Sequence, residues 1–229
     1  MSKTKQSKVV VITGASSGIG KATAKSLVQE GHRVALVARS EDKLNSLVEE
    51  LGSENAFSVK ADVSDFDEVE NAFAKINTHF NKIDVVFANA GTGASSPGIE
   101  KGDVSDWSTM LGANVNGLLY TSKAGLPFLR ESKGHFILTG SVAGRIALKG
   151  SVYGASKWFA YGFGQNLAEE MREWGGKCTT ICPGMVNTPF FDEPKEDKLA
   201  PEDIADAVNY ALSSSDKACV REVYVMPTS

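Results

Sequence analysis

Lys8-Val-Val-Val-Ile-Thr-Gly-Ala-Ser-Ser-Gly-Ile-Gly20 is the stretch of this 229-residue chain that decides its fold. Its first six residues are mostly β-branched and apolar, as in a buried strand, and a helical pattern follows the glycines as far as residue 30. Glycines let the backbone approach a pyrophosphate closely, and free N–H groups at a helix start favour negative charge. The stretch therefore predicts a strand, a phosphate-binding turn and a helix. A purely structural turn is the alternative, and the spacing is Gly-x-x-x-Gly-x-Gly, not the Gly-x-Gly-x-x-Gly fingerprint.

Strand and helix patterns alternate along the rest of the chain, which predicts a parallel sheet covered by helices on both faces. We expect an α/β, doubly wound fold in a single domain over residues 1–229. Further strands are predicted at residues 33–38, 55–60, 83–88, 134–141, 177–182 and 222–226. Further helices are predicted at residues 41–51, 65–81, 105–132, 151–174 and 201–214.

Composition excludes several classes of protein. A formal net charge of −4 gives no basic surface for nucleic acid. Residues 1–8 are polar and the apolar run after them is too short for a signal sequence or a membrane span, so we expect a cytoplasmic protein with no membrane partner. The cysteines, Cys178, Cys182 and Cys219, are odd in number and lack metal-site spacing. We therefore expect buried, inert thiols and no metal.

The second predicted strand ends in Ala38 and Arg39. In dinucleotide-binding folds an acidic residue at this point holds the ribose 2′-OH, whereas an arginine accommodates a 2′-phosphate. The acid is missing and the arginine is present, so the sequence predicts NADP as the cofactor. A solvated surface arginine is the alternative interpretation.

Other strand ends carry polar or small residues that meet at the carboxyl edge of the predicted sheet, where ligands bind in such folds. Asp62 and Val63 follow the third strand and are candidates for contacting adenine, although Asp62 is also a candidate helix N-cap. Asn89-Ala-Gly91 follows the fourth strand and lets a cofactor pass close to the backbone, as a plain turn would also do. The loop at residues 92–103 is expected to border the substrate. Ser141 ends the fifth strand, and a turn or helix cap is its alternative role.

Tyr153-Gly-Ala-Ser-Lys157 places a phenol and an ammonium four residues apart, hence on one face of a predicted helix. At an effective dielectric of ~20, a cation ~4 Å away stabilises a phenolate by roughly 4 kcal/mol, which lowers the pKa of the phenol by about three units. We therefore expect Lys157 to bring the pKa of Tyr153 near neutral pH, although such a pair also occurs by chance. Asn114 lies within a predicted helix where asparagine is unfavourable, which suggests an inward-facing side chain with a partner.

Together these motifs resemble the short-chain dehydrogenase/reductase family over essentially the whole chain. The resemblance implies seven parallel strands, NAD(P) binding and interconversion of carbonyls and alcohols. It implies that Tyr153 is the general acid in reduction, Ser141 holds the substrate oxygen, Lys157 activates Tyr153 and anchors the ribose, and Asn114 holds a proton-relay water. Thr188 would bind the nicotinamide carboxamide. The implied cofactor contacts are Gly14, Ser16, Ser17, Gly18, Ile19, Gly20, Arg39, Asp62, Val63, Asn89, Ala90, Gly91, Tyr153, Lys157, Pro183, Gly184, Val186 and Thr188.

The resemblance favours an NADP(H)-dependent carbonyl reductase or alcohol dehydrogenase acting on a small molecule. An NADP(H)-binding sensor with little turnover is the alternative, but a sensor would not need all four catalytic residues. A homo-oligomer, dimer or tetramer, is expected in part because Trp158, Phe159, Tyr161 and Phe163 spread around one helix. Residues 220–227 resemble the branch that contains hydroxy-acid and serine dehydrogenases.

The loop at residues 189–200 is short compared with relatives, which often place substrate-covering helices there. It contains Phe190 and Phe191 followed by charged residues. We expect one of these rings to pack over the nicotinamide or the substrate as a minimal lid, with a hydrophobic anchor for the loop as the alternative. A loop this short predicts an open site that accepts a broad range of substrates.

Overall fold

The fold is a seven-stranded parallel sheet with helices on both faces, in a computed structural model that describes residues 7–93 and 98–228. The strand order is β3-β2-β1-β4-β5-β6-β7, so the direction of winding reverses between β1 and β4. The predicted doubly wound fold is confirmed. The strands are β1 (Val9–Thr13), β2 (Arg33–Ala38), β3 (Ala56–Lys60), β4 (Val85–Ala88), β5 (His135–Thr139), β6 (Lys177–Pro183) and β7 (Glu222–Val225).

Successive residues of β1 pack against different helical layers. Val9 and Val11 join the core beneath one set of helices, and Val10 and Ile12 join the core beneath the other, as the two-residue period of a strand requires. The first layer contains α3 (Phe66–Phe80), α5 (Gly117–Ser132) and α6 (Val152–Arg172), and the second contains α1 (Gly18–Gln29), α2 (Glu41–Leu51) and α7 (Pro201–Leu212). Within the described ranges, no helix is long and apolar enough to cross a membrane.

The single helix predicted for residues 105–132 is interrupted in the structure. It consists of α4 (Val104–Leu111), one π-helical turn at Gly112–Asn116 and then α5. The wider turn carries Asn114, whose buried side chain hydrogen-bonds a neighbouring loop and helix. The interruption therefore coincides with a functional candidate, as π-helical turns often do.

The expectation that all three cysteines are buried is wrong for one of them. Cys178 and Cys182 lie within β6 and are buried, whereas Cys219 is exposed in the segment before β7. Burial, with the nearby Glu222 carboxylate, raises the pKa of the Cys182 thiol to about 12. Cys182 is therefore protonated at neutral pH.

His135 at the start of β5 predicts a measurable acid sensitivity. Its Nε2 lies 2.7 Å from Thr179 Oγ1, and because that hydroxyl donates its hydrogen to the Val220 carbonyl, the imidazole is the donor. Burial, with the positive charges of Lys8 and Lys177, lowers the pKa of His135 to about 3 from its ordinary 6.5. The fold therefore holds the neutral ring, and only the unfolded chain takes up the proton between those two pH values.

Stability should consequently fall as the pH drops from about 6.5 towards 3, by up to roughly 1.4 kcal/mol per pH unit from this residue alone. Urea unfolding at a series of pH values, compared with His135→Asn, separates this contribution from those of the carboxyl groups. The variant should be less stable at pH 7 but should lose less stability on acidification. Parallel curves for the two proteins would contradict the assignment.

Candidate active site

A cavity of about 720 Å³ opens at the carboxyl edge of the sheet, where the winding reverses. Ligands bind at this point in open α/β sheets, and the volume is within the usual range for such sites. The structure brings nearly all of the predicted site residues to its wall. Those that line it are Gly14, Ser16, Ser17, Gly18, Ile19, Arg39, Asp62, Val63, Asn89, Ala90, Gly91, Ser141, Tyr153, Lys157, Pro183, Gly184, Val186 and Thr188.

The glycine turn after β1 has the form that a phosphate site requires. Gly14 and Gly18 have φ values of +67° and +49°, which other residues rarely adopt. The Ser17 side chain makes no capping hydrogen bond to α1, so it leaves the first backbone N–H groups of that helix available to a phosphate. Gly20 is buried in α1, where an added Cβ would lie 2.4 Å from the Gly14 carbonyl oxygen, so its role is close packing of the turn. These features fit a bound pyrophosphate.

Arg39 and Asp62 follow β2 and β3 and line the end of the cavity that is farthest from β5. The Arg39 side chain is 73% exposed, and its Nη1 lies 3.9 Å from Asp62 Oδ2. Asp62 accepts hydrogen bonds from the Ser64 backbone and hydroxyl, whereas Asp65 is the residue that caps α3. The helix-cap alternative for Asp62 is therefore excluded. Partial burial by itself raises the pKa of Asp62, but the Ser64 hydrogen bonds and the positive charge of Arg39 lower that pKa by a larger amount. The net shift is therefore downward, and the carboxylate is ionised.

Asn89 connects three strand ends rather than pointing its amide at a ligand. Its Nδ2 donates to the Thr13 carbonyl at 3.1 Å, and its Oδ1 accepts from the Thr139 hydroxyl at 3.2 Å. The carboxyl ends of β1, β4 and β5 are thereby held together. Ala90 and Gly91, which follow, line the cavity with no more than a methyl group, so a ligand can approach the backbone there.

Ser141, Tyr153 and Lys157 meet on one wall. Ser141 lies two residues beyond β5, which ends earlier than predicted, and its Oγ accepts from the Ala143 N–H at 3.1 Å. The same hydroxyl is near enough to the Tyr153 phenol to lower the pKa of that phenol. Ser141 is thus both a turn cap and a partner of the tyrosine, so the two interpretations of this residue are compatible.

The expectation that Lys157 brings the pKa of Tyr153 towards neutrality is wrong for this structure. Lys157 Nζ donates to the Thr139 carbonyl at 3.0 Å and lies 5.8 Å from the centre of the phenol ring. Burial raises the pKa of Tyr153 above its ordinary 10, although the nearby Ser141 hydroxyl lowers it somewhat. Burial also lowers the pKa of Lys157 to about 8. Tyr153 is therefore held protonated, which is the form that donates a proton.

Asn114 faces inward, with partners for its side chain. Its Oδ1 accepts from the Thr92 N–H at 2.9 Å, and its Nδ2 donates to the Thr92 carbonyl and the Ser156 hydroxyl at 3.0 Å each. A second, small cavity of about 10 Å³ lies between Asn114, Lys157 and Thr121. Thr121 Oγ1 is buried without a hydrogen-bond partner among the described residues. The space fits about one water molecule.

Arg145 and Glu222 form a contact that the sequence did not suggest. Arg145 Nη1 donates to both oxygens of Glu222, at 2.8 and 3.0 Å, and its guanidinium lies 4.0 Å from the centre of the Tyr161 ring. The Cys182 thiol donates to the same carboxylate at 3.5 Å and interacts with the Ser141 backbone. The turn that carries Ser141 is therefore fixed to β6, β7 and α6.

Phe190 lies over the catalytic wall. Its ring centre is 5.6 Å from that of Tyr153, and Phe191 packs against it edge to face at 5.2 Å. The loop that carries both rings is closed at its base by a bridge between Val186 and Leu199. Residues 94–97 of the loop expected to border the substrate lie outside the described residues. Phe190 is 43% exposed, and its role as a lid stays a prediction.

The described residues contain no group of three His, Cys, Asp or Glu side chains that could hold a metal ion. The chemistry of the wall is instead that of a hydroxyl, a phenol and an ammonium beside a phosphate-binding turn. This arrangement, at the switch point of a doubly wound sheet, defines an oxidoreductase that binds a nicotinamide dinucleotide. Residues 8–199 match the model for short chain dehydrogenases, and the chain belongs to that family.

Similar proteins agree with this assignment. An uncharacterized oxidoreductase from Staphylococcus epidermidis is 41% identical over 234 residues, which cover 99% of this chain and 100% of the relative. An alcohol dehydrogenase from the archaeon Thermococcus sibiricus, complexed with 5-hydroxy-NADP, superposes with a TM-score of 0.90 at 32% identity over 97% of each chain. The closed form of a serine dehydrogenase complexed with NADP+ superposes with a TM-score of 0.89 at 30% identity, over 96% of this chain and 94% of the other.

Proposed function

We propose that the protein is an NADP(H)-dependent oxidoreductase that interconverts carbonyl compounds and secondary alcohols. The observation that carries the proposal is that Ser141, Tyr153 and Lys157 lie together on the wall of a cavity with a phosphate-binding turn. The positive φ values and uncapped helix start of that turn fit the dinucleotide. When bound, the nicotinamide supplies or accepts a hydride at its C4.

The side chains have complementary tasks in reduction. Tyr153 is protonated and donates its proton to the carbonyl oxygen, while the Ser141 hydroxyl holds that oxygen in place. Lys157 keeps a positive charge near the phenol as negative charge develops, since its lowered pKa of about 8 still leaves most of it protonated at neutral pH. Asn114 and the small cavity beside it suit a water that returns a proton towards Lys157 and Tyr153.

We infer a preference for NADP from the residues after β2. Arg39 is solvent-exposed at the cavity end and free to turn towards a 2′-phosphate, and Ala38 offers no carboxylate for a free 2′-OH. Two similar structures contain NADP or a derivative of it, which supports the same choice.

The proposal is tested by incubating the purified protein with NADPH or NADH and a panel of aldehydes, ketones, oxo acids and sugars. Substrate-dependent loss of the reduced-nicotinamide absorbance, faster with NADPH, is the expected result. Tight NADPH binding without consumption across the panel would favour the alternative, a nucleotide-binding sensor.

We also propose a homo-oligomer, dimer or tetramer, formed through α5 and α6. Trp158 and Phe159 on α6 are 48% and 36% exposed, and Phe159 stacks on Phe163 along the helix. Light scattering at micromolar concentration should report two or four times the 24.4 kDa of one chain, and Phe159→Glu should lower that value. A monomer mass for the unmodified protein would refute the prediction. The cytoplasmic location expected from the sequence stays a prediction.

A further inference from the structure

We propose that the substrate is an uncharged carbonyl compound with an apolar substituent, and that Phe190 is the side chain that selects it. The inference rests on the proposed oxidoreductase function and deepens it by naming the substrate class. It differs from what the similarity to a serine dehydrogenase would suggest, because that name implies a substrate with a carboxylate. The charges and contacts around Tyr153 carry the inference.

The catalytic end of the cavity offers a substrate carboxylate no available cation. Among the described residues that line the cavity, the only basic side chains are Arg39 and Lys157. Arg39 lies at the far end, beside Asp62. Lys157 is buried, and its Nζ is directed at the Thr139 carbonyl. Residues 94–97, Ala-Ser-Ser-Pro, contain no ionisable side chain in the sequence.

Two basic residues on the surrounding loops, Arg145 and Lys195, have other partners, and Lys101 and Lys149 do not line the cavity. Arg145 is held by both oxygens of Glu222 and by the Tyr161 ring, and none of the described residues 142–152 lines the cavity. Lys195 pairs with Glu193 on the loop that carries Phe190, with 3.8 Å between the charged atoms. A carboxylate beside Tyr153 would therefore lose water without gaining an ion pair, which strongly disfavours its binding.

Phe190 gives the same region an apolar surface. Its ring lies against Tyr153, and its tip reaches across the carboxyl edge to Gly93. A Cβ at position 93 would lie 2.9 Å from Phe190 Cζ, so the ring occupies a space that only glycine leaves open. A substrate whose carbonyl oxygen meets Ser141 and Tyr153 would thus rest its substituent on an aromatic face. Apolar and planar substituents gain most from that contact.

A matched pair of substrates isolates charge from shape. Ethyl benzoylformate and benzoylformate carry the same phenyl ketone, but only the second is an anion at neutral pH. We expect kcat/KM with NADPH to be at least about 100-fold higher for the ester. Equal values, or a preference for the acid, would overturn the proposal.

Variants of Phe190 test whether this residue is responsible. Phe190→Arg introduces a cation and should raise the acid-to-ester ratio of kcat/KM by about tenfold or more, whereas Phe190→Met, a neutral control of similar reach, should not. Gly93→Ala should displace the ring and reduce the preference for phenyl over methyl ketones with little loss of stability, because the side chain that must move is flexible. If the acid-to-ester ratio and the phenyl-to-methyl ratio of kcat/KM were unchanged in all three variants, Phe190 would not be the residue that selects the substrate.

Binding measurements keep this inference separate from the proposed function. Calorimetry with the NADP+-loaded protein compares ethyl mandelate with mandelate, the alcohols that correspond to the two ketones. The ester should bind more tightly whether or not turnover is observed. If neither ketone were turned over but ethyl mandelate still bound more tightly than mandelate, only the oxidoreductase proposal would be contradicted. Tighter binding of mandelate would contradict only the substrate class.

Discussion

Replacement of Tyr153 by Phe is expected to lower kcat by about 1,000-fold or more while leaving NADPH affinity nearly unchanged. The substitution removes the phenolic proton and keeps the ring that packs against Phe190. Burial holds the phenol protonated near Ser141, so the substitution removes the proton that the proposed reduction uses. Lys157→Ala, in contrast, should weaken both turnover and cofactor binding.

Initial rates and fluorescence titration with NADPH separate the two effects. Tyr210→Phe is a matched control, since Tyr210 is an exposed tyrosine on α7, and it should retain full activity. If Tyr153→Phe kept more than a few per cent of the activity of the unmodified protein, Tyr153 would not be the general acid.

Cofactor preference is expected to invert when Ala38 becomes Asp and Arg39 becomes Leu together. The arginine can form charge-assisted hydrogen bonds with a 2′-phosphate, and the new carboxylate would repel that phosphate but accept a hydrogen bond from a free 2′-OH. Because Arg39 is largely exposed, we expect each of the two substitutions to lower the ratio of kcat/KM for NADPH to that for NADH by only about tenfold. Together they should lower this ratio by roughly 100-fold.

Arg172→Leu provides the control for removing an exposed arginine. Its side chain is 76% exposed and forms an ion pair with Glu169, as Arg39 does with Asp62, but it lies at the end of α6. This variant should keep the original preference. An unmodified protein that used NADPH and NADH equally well would contradict the role given to Arg39.

The sequence predicted the strands, their parallel arrangement and most of the site because those features depend on local patterns. β-branched runs fix the strands, the glycine turn after β1 fixes the first crossover, and parallel strands bring their carboxyl ends to one edge. Asn89, Ser141 and Tyr153 are therefore near each other once the fold is known. The boundaries of β2 and α2 agree with the prediction residue for residue.

Features that depend on distant contacts were not predictable in the same way. Arg145 and Glu222 are 77 positions apart, and nothing local marks either as a partner of the other. The pKa of Tyr153 depends on burial and on where the Lys157 ammonium points, which four-residue spacing does not determine. The π-helical turn carries Asn114, whose hydrogen-bond partners Thr92 and Ser156 are 22 and 42 positions away in the chain.

The proposed function requires direct hydride transfer at the Ser141–Tyr153 wall, which the fate of an isotope label on NADPH reveals. NADPH carrying deuterium at one face of C4, in two separately prepared forms, is incubated with the protein and a ketone that it reduces. Mass spectrometry of the alcohol should find the deuterium on the carbinol carbon with only one of the two forms, and with neither form in Tyr153→Phe over the same time. An alcohol whose new carbon-bound hydrogen came from solvent would contradict the account.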